Sequence, residues 1–308
     1  MDDPGNYYSV EINNRLTGVV RGRAGGKPVI LARRLGAGPH HLRLTRRNLS
    51  FDRPTSFVSL MLERGGKAMP TPKRKQLKIE FIGDSYTVAE GNEAKEPAVA
   101  WTETLALTDS RRGFAGLLAD ACDADYRLVA RSGSGVLCDW KGNREDAMLE
   151  RYGWTLMEQS EPAWQPDDWT PDLVVICLGI NDHAGLSRSG GGITKPEESE
   201  FRAAYRNLLA RVRNHSPRAE ILAVAHFHPW VRRQVSRIAR EDGRLHYASF
   251  DEFPGGYVAN GHPTLETHRR MANQLLPALA RIPGVTLPAA GRARAFSAQE
   301  TGPRRGAN

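Results

Sequence analysis

The rhythm of apolar and polar positions changes once along the chain, near residue 77. Before it, YYSVEI (7–12), PVILARRL (28–35), HHLRLTRR (40–47) and TSFVSLML (55–62) read as strands of β-branched and aromatic residues. The pair Gly25 and Gly26, residues 36–38 and residues 48–54 break these runs, and no helix-length period intervenes. This predicts a small all-β module, a partial sandwich too short to be complete. GGKAMPTPKRKQL (65–77) is a linker by composition.

Beyond it, strand-like and helical patterns alternate. Apolar runs at 79–83, 125–133, 172–179, 219–227 and 244–250 are separated by helical periods at 103–122, 198–217, 231–243 and 267–282. DLVVICLG (172–179) is nearly continuous, as a strand buried on both faces requires. The alternation predicts an α/β domain with a parallel sheet covered on both sides. The expected division is a β module and linker at 1–75, an α/β domain at 76–288 and a disordered tail at 289–308.

Bulk properties narrow the function classes. A length of 308 residues suits two domains or one large one, and 40% hydrophobic with 25% charged residues is an ordinary soluble balance. No apolar run of membrane-spanning length occurs, so no membrane partner is expected. The start MDDPGNYYSV has no basic lead or apolar core. It reads as cytoplasmic from this start site, and as secreted or periplasmic if the start is truncated. The net charge of +8 is spread over scattered arginine pairs without a nucleic-acid-binding module, so it reads as solvated surface. Cys122, Cys138 and Cys177 are odd in number and widely spaced, which argues against a disulfide framework and against a metal knuckle.

In open α/β sheets, sites form beyond the carboxyl ends of the strands. Four unusual blocks fall there or just before the last helix: Gly83-Asp84-Ser85, Ser132-Gly133-Ser134-Gly135, Gly179-Ile180-Asn181-Asp182, and Asn260-Gly261-His262-Pro263. Ser85 is a nucleophile if a base reaches it, and otherwise a helix cap. Gly133 offers an unshielded N–H and Asn181 a side-chain amide, both suited to an oxyanion; each is also an ordinary turn residue. His262 is the base candidate. His268 suits a supporting role. His226, His228 and His262 together form a weaker zinc alternative.

In this order, FIGDSYT, the S-G-x-G segment, LGIND and the late His-Pro element resemble the SGNH (GDSL-type) hydrolases. The finer resemblance is to carbohydrate esterase family 2, through KIEFIGDS, ARSGSGV, PDLVVICLGIND and the ending HP…H…MA, over about residues 35–282. The resemblance implies a three-layer, flavodoxin-like α/β/α domain behind a jelly-roll-like β module. It implies Ser85 as nucleophile. The Ser85 and Gly133 N–H groups and the Asn181 amide would form the oxyanion hole, and His262 would be the base. No cofactor and no metal is needed by that chemistry, and no protein partner is implied. Asp84 would hold the serine loop. The family usually places an aspartate two or three residues before the histidine; here Asn260 and Ala259 stand there. That departure matches family members with a Ser–His dyad whose histidine is oriented by a backbone carbonyl, and leaves Asp251 and Glu252 as outside substitutes.

The implied substrate is an acetylated oligo- or polysaccharide such as xylan or glucomannan. Trp140, Trp164, Trp169 and Trp230 are candidates to stack on sugar, with Trp140 first, and Tyr86 to shape the acyl pocket. Asp182, His183, His226 and His228 make the expected cleft polar, which disfavours a lipase. Deacetylation or acyl transfer on bacterial glycans, and sugar binding without turnover, are the alternatives.

Overall fold

The chain was analysed as a computed structural model, and the structure describes residues 2–3, 5–49, 55–164 and 169–288. The expected tail at 289–308 lies outside them. The first elements are β1 (Tyr7–Ile12), β2 (Arg15–Arg21) and β3 (Leu42–Arg46), an antiparallel sheet in the order β2-β1-β3. The hairpin between β1 and β2 turns on Asn13 and Asn14, both at positive φ (51° and 63°). That is the two-residue turn whose twist suits paired strands, and asparagine tolerates it. β2 escaped the sequence reading because most of its residues are exposed and show no clean alternation. PVILARRL and TSFVSLML are not strands. Ile30, Leu35, Phe57, Val58, Leu60, Met61 and Leu62 stay exposed, because neither segment has a ladder to join. Among the described residues, no second sheet closes a sandwich over β1–β3.

The larger part runs β4 (Lys78–Gly83), α1 (Ser85–Val88), α2 (Trp101–Thr104), α3 (Phe114–Ala121), β5 (Asp125–Ala130), α4 (Met148–Arg151), β6 (Trp154–Leu156), β7 (Gln159–Ala163) and β8 (Leu173–Cys177). It continues with α5 (Ile180–Leu186), α6 (Lys195–His215), β9 (Glu220–Ala225), α7 (Pro229–Asp242), β10 (Leu245–Ser249), β11 (Tyr257–Val258), β12 (His262–Pro263) and α8 (Leu265–Leu279). The expected helix at 103–122 survives only as α3, since Gly113 and a buried Asp109 cap divert the chain before it. α6 starts earlier than expected, at a capping box between Thr194 and Glu197.

Five strands, all parallel, form the central sheet in the order β10-β9-β8-β4-β5. This is the flavodoxin-like winding, and the order reverses between β4 and β8. Alternate residues of β8 face opposite layers. Leu173, Val175 and Cys177 pack toward α3 and α8, whereas Val174 and Ile176 pack toward α6 and α7. The continuous apolar run is therefore the signature of two cores sharing one strand.

Arg47, just past β3, joins the two sheets. Its guanidinium is 1% exposed; it pairs with Asp109 at 3.2 Å and with Glu93, and donates to Thr108 O at 3.0 Å and Ser9 Oγ at 3.2 Å. Removing one partner of such a buried cluster strands the others. Arg47→Met is expected to lower unfolding free energy by about 3–5 kcal/mol, measured as a drop in urea midpoint. A drop below about 1 kcal/mol, the range of an exposed pair, would show that Glu93 and Asp109 do not depend on it.

Candidate active site

β4 ends at Gly83, where a Cβ would meet Thr87 Oγ1 at 1.9 Å and the Cys177 carbonyl at 3.1 Å. Only glycine lets the strand turn directly into α1. Asp84 is the N-cap of α1 and accepts from the Tyr86 N–H at 3.0 Å. The capping role open to Ser85 is thus filled by its neighbour, and Ser85 opens the helix with its side chain 7% exposed. Burial pushes the Asp84 carboxyl up to about 7, with the charges of Asp182 and Glu90 adding to it.

β5 leads to Gly133 at φ +81°, a conformation that favours glycine, and a Cβ there would meet Trp140 Cδ1 at 2.8 Å. No described residue accepts from the N–H of Ser85 or Gly133. β8 leads through Gly179, φ +124°, into α5 with Asn181 and Asp182 in its first turn. Asn181 Nδ2 donates to Ser134 O at 3.1 Å, which sets its amide beside Gly133 with a second hydrogen to spare. Three strand ends, β5, β4 and β8, thereby bring Gly133, Ser85 and Asn181 to one edge, at the reversal of strand order.

His262 arrives on β12. Tyr86 OH donates to Gly261 O at 3.2 Å, and the Tyr86 and His262 rings lie 6.2 Å apart. His262 Nδ1 is 2.6 Å from Ala259 O. A carbonyl only accepts, so Nδ1 carries a proton, and in the neutral ring the lone pair lies on Nε2. Ala259, Asn260 and Gly261 all lie at positive φ (42°, 64° and 93°). This strained turn is held by Ala259 N–H to Glu96 O (2.9 Å), Asn260 N–H to Pro97 O (2.6 Å) and Gly261 N–H to Val258 O (3.0 Å). Asn260 Nδ2 donates to Val99 O at 2.9 Å, so its side chain is committed away from the imidazole. Asp251 pairs with Arg232 at 2.8 Å and accepts from Gln274, so its carboxylate is committed elsewhere.

The other candidates divide. Trp140 stands beside Gly133 with 47% of its surface exposed, and the Lys141 ammonium (5.1 Å) and Arg188 guanidinium (5.7 Å) lie over its ring. His228 is the N-cap of α7, and its ring lies against that of His183, with centroids 3.7 Å apart and planes tilted by 38°. Burial, first, and a neighbouring charge, second, hold both imidazoles below their usual range, so both are neutral at neutral pH. Tyr86 lies between His262 and His226, whose ring is 4.6 Å away. His226 is 3% exposed, neither ring nitrogen has a partner among the described residues, and burial pushes it down to about 3.

Two expected substrate contacts are corrected. Asp182 is fully buried, and its carboxylate accepts from Val136 N–H (2.8 Å), Leu137 N–H (2.6 Å) and Cys138 N–H (3.2 Å). It has no face left for a sugar. Trp230 is 6% exposed and packs on Phe201 at 4.9 Å, inside the core. Trp169 and Trp164 lie toward the amino ends of the strands. Arg127 covers the former at 4.4 Å and His215 the latter at 5.5 Å. Among the described residues, no group of His, Cys, Asp and Glu is arranged to hold a metal. The sequence reading expected a backbone carbonyl to orient His262 without naming which, and the structure supplies Ala259 O. It missed His183 as a partner of His228, and Glu90, whose Oε2 lies 3.8 Å from His262 Nε2.

Residues 81–307 match the GDSL-like lipase/acylhydrolase family. The chain belongs to that family. It is 29% identical over 254 residues to the cellulase/esterase CelE of Acetivibrio thermocellus, covering 78% of this chain and 30% of that protein. It is 27% identical over 293 residues to an acetylxylan esterase/glucomannan deacetylase of Cellvibrio japonicus, covering 92% of this chain and 80% of the relative. The chain thus spans less than a third of the first relative's length and most of the second's. Among solved structures, a family two carbohydrate esterase from Clostridium thermocellum is 26% identical. Its TM-score is 0.77 as an active-site mutant, over 92% of this chain and 86% of that one. In complex with cellohexaose the score is 0.74, over 90% and 85%.

An acid at position 260 would face the Val99 carbonyl rather than His262. Asn260→Asp is therefore expected to lose about 1 kcal/mol of stability with no gain in 4-nitrophenyl acetate hydrolysis. A rate above wild type would show that a carboxylate at 260 turns to the imidazole.

Proposed function

We propose that the protein is a serine esterase that removes O-acetyl groups from carbohydrates, of the acetylated xylan and glucomannan class. The reading extends to the chain's organisation: a β module and linker at 1–75 serves a hydrolase domain at 76–288. The observation that carries it is the Ala259 O contact to His262 Nδ1. It orients the ring so that in its neutral form the base nitrogen is Nε2, and the Tyr86 contacts hold that ring against the turn that carries Ser85.

Ser85 Oγ attacks the acetyl carbonyl carbon while His262 Nε2 takes its proton. The oxygen that gains charge is met by the Ser85 and Gly133 N–H groups and the free hydrogen of Asn181 Nδ2. The intermediate collapses as Nε2–H protonates the departing sugar oxygen. Water, deprotonated by the same nitrogen, then adds to the acyl carbon; acetate leaves as the carbon–Oγ bond breaks and Nε2–H returns the proton to Ser85 Oγ. Asn181, rather than a charged donor, suits an oxyanion that exists only in transit. Trp140, half exposed beside Gly133, and the His183–His228 pair offer ring surface and hydrogen-bonding groups, which suits a sugar. The names of the curated relatives support acetylated xylan and glucomannan as the substrate class.

Ser85→Ala and His262→Ala are each expected to lower acetate release from 4-nitrophenyl acetate and acetylated xylan by roughly a thousandfold or more, while circular dichroism and melting stay those of a folded chain. Wild type that releases no more acetate than Ser85→Ala on either substrate would sink the reading. Acetate appearing on an added sugar acceptor instead of in water would turn it toward acyl transfer.

A further inference from the structure

The usual place for an acid behind the catalytic histidine is closed in this protein. Nδ1 of His262 is committed to Ala259 O, and the amide at position 260 to Val99 O. A carboxylate nevertheless reaches the ring from the other side. Glu90 Oε2 is 3.8 Å from Nε2, and the Glu90 residue is 7% exposed. Among the described residues its carboxyl group has no other ion-pair or hydrogen-bond partner.

The local chain is built to put it there. α1 is a single turn, ended by Ala89 at φ 62°. The Glu90 N–H then donates to Ser85 O at 3.0 Å, so Glu90 hangs on the carbonyl of the nucleophile itself. Gly91 follows at φ +60°, and a Cβ on it would come within 2.5 Å of the Ala259 Cβ. The turn that carries Glu90 and the turn that orients His262 are therefore in direct contact through residues 91 and 259. A side chain at 91 would push them apart.

The remaining groups around the imidazole do not do this work. On α1, Tyr86 gives its hydroxyl hydrogen to Gly261 O, and Asp84 is spent on the cap beneath it. On α8, His268 is buried, accepts from the Phe114 N–H at 3.2 Å and is pushed down to about 3 by burial, so it is neutral. On β11, Tyr257 pairs across to Pro263 and its hydroxyl accepts from the Phe253 N–H. His226 is screened from His262 by the Tyr86 ring and is neutral as well. Glu90 is the carboxyl group that faces Nε2.

A mostly buried carboxylate without a cation is unfavourable, and a cation formed within ion-pair reach relieves it. At 3.8 Å the contact is too long for a hydrogen bond. Glu90 therefore acts by charge and leaves the Nε2 lone pair for the Ser85 proton. We propose that Glu90 is a positioning residue that replaces the missing acid: set beside Nε2, it stabilises the imidazolium formed when Ser85 attacks. The inference rests on the Ser85–His262 reading above. As the Ser85 oxygen–carbon bond forms, its proton moves to Nε2 and the ring becomes cationic within reach of the Glu90 carboxyl group. When the intermediate collapses, that proton leaves with the sugar oxygen and the ring returns to its starting state.

The test uses Glu90→Gln, which keeps shape and removes charge, and Glu90→Asp, which keeps charge. One readout needs no turnover: the NMR titration of the His262 ring, in otherwise wild-type protein and in Ser85→Ala. The other is the pH profile of kcat/KM on 4-nitrophenyl acetate. Loss of the carboxylate makes the imidazolium harder to form. The His262 titration and the acid limb of the profile should then both move to lower pH in Glu90→Gln, by at least about half a unit, with kcat/KM near neutrality down roughly tenfold or more. Glu90→Asp should recover part of both. A His262 titration unmoved by Glu90→Gln overturns the inference, whatever the enzyme hydrolyses. So does a fall in rate with both titrations fixed, which marks a packing role. A shifted titration in a protein whose wild type releases no acetate supports the Glu90–His262 coupling and overturns only the esterase reading.

Discussion

Three backbone N–H groups converge on the Asp182 carboxylate, and the edge of the sheet that carries the cleft is assembled around that convergence. Val136, Leu137 and Cys138 follow the segment after β5, whereas Asp182 opens the helix after β8. One fully buried side chain therefore ties the segment that follows Gly133 to the turn that carries Asn181, the two groups that the proposed mechanism needs side by side. Gly135 shows how tight the arrangement is, since a Cβ there would lie 2.3 Å from Asp182 Oδ2. The first turn of α5 adds its own favourable end for a negative charge.

Such a carboxylate carries a thermodynamic cost. Burial pushes Asp182 up to about 6 and Asp84 up to about 7, partly offset by the N–H groups each accepts from. Acids raised in this way bind protons more tightly folded than unfolded, so their contribution to stability declines as pH rises from about 4 toward 7. Two buried histidines work in the opposite sense. His226 and His268 are pushed down to about 3, so the unfolded chain takes up protons there that the folded chain refuses, and stability declines as pH falls from about 6.5. The two slopes oppose each other between about pH 4 and 6. Groups that impose geometry on the cleft thus partly cancel in their effect on the fold.

How much of this was legible in the sequence depends on whether a residue's role is local. DLVVICLG announced a strand between two cores, and its alternating packing bears that out. Gly83-Asp84-Ser85 announced a strand-to-helix turn, and Ala259 announced nothing, because a carbonyl oxygen has no residue type. Asp182 misled for a related reason. Next to Asn181 it reads as a polar cleft residue, and only the return of residues 136–138 from another strand end shows that its oxygens are taken. The β module failed differently. TSFVSLML has strong strand composition, yet a strand is a relation between two segments, and its partner is not set by its own sequence. β2 is the converse case, a strand with weak composition held by an Asn-Asn turn and a ladder to β1.

The histidine brings these strands of argument together. A triad fixes its tautomer and stabilises its charge with a single aspartate. In this chain the two tasks are physically separable. Tautomer is a matter of which nitrogen meets an acceptor, and a carbonyl serves for that without any charge. Ala259 O is supplied by a turn at positive φ, which backbone bonds to residues 96 and 97 keep from relaxing. Charge is a matter of distance and dielectric rather than of direction, so it can be supplied from the side of Nε2 provided the anion stays too far to hydrogen-bond. A carboxylate at 3.8 Å in a largely buried site meets both conditions. An asparagine at position 260 is then no defect. It anchors the turn to Val99 O, which an aspartate could not do, and so protects the carbonyl on which the tautomer depends.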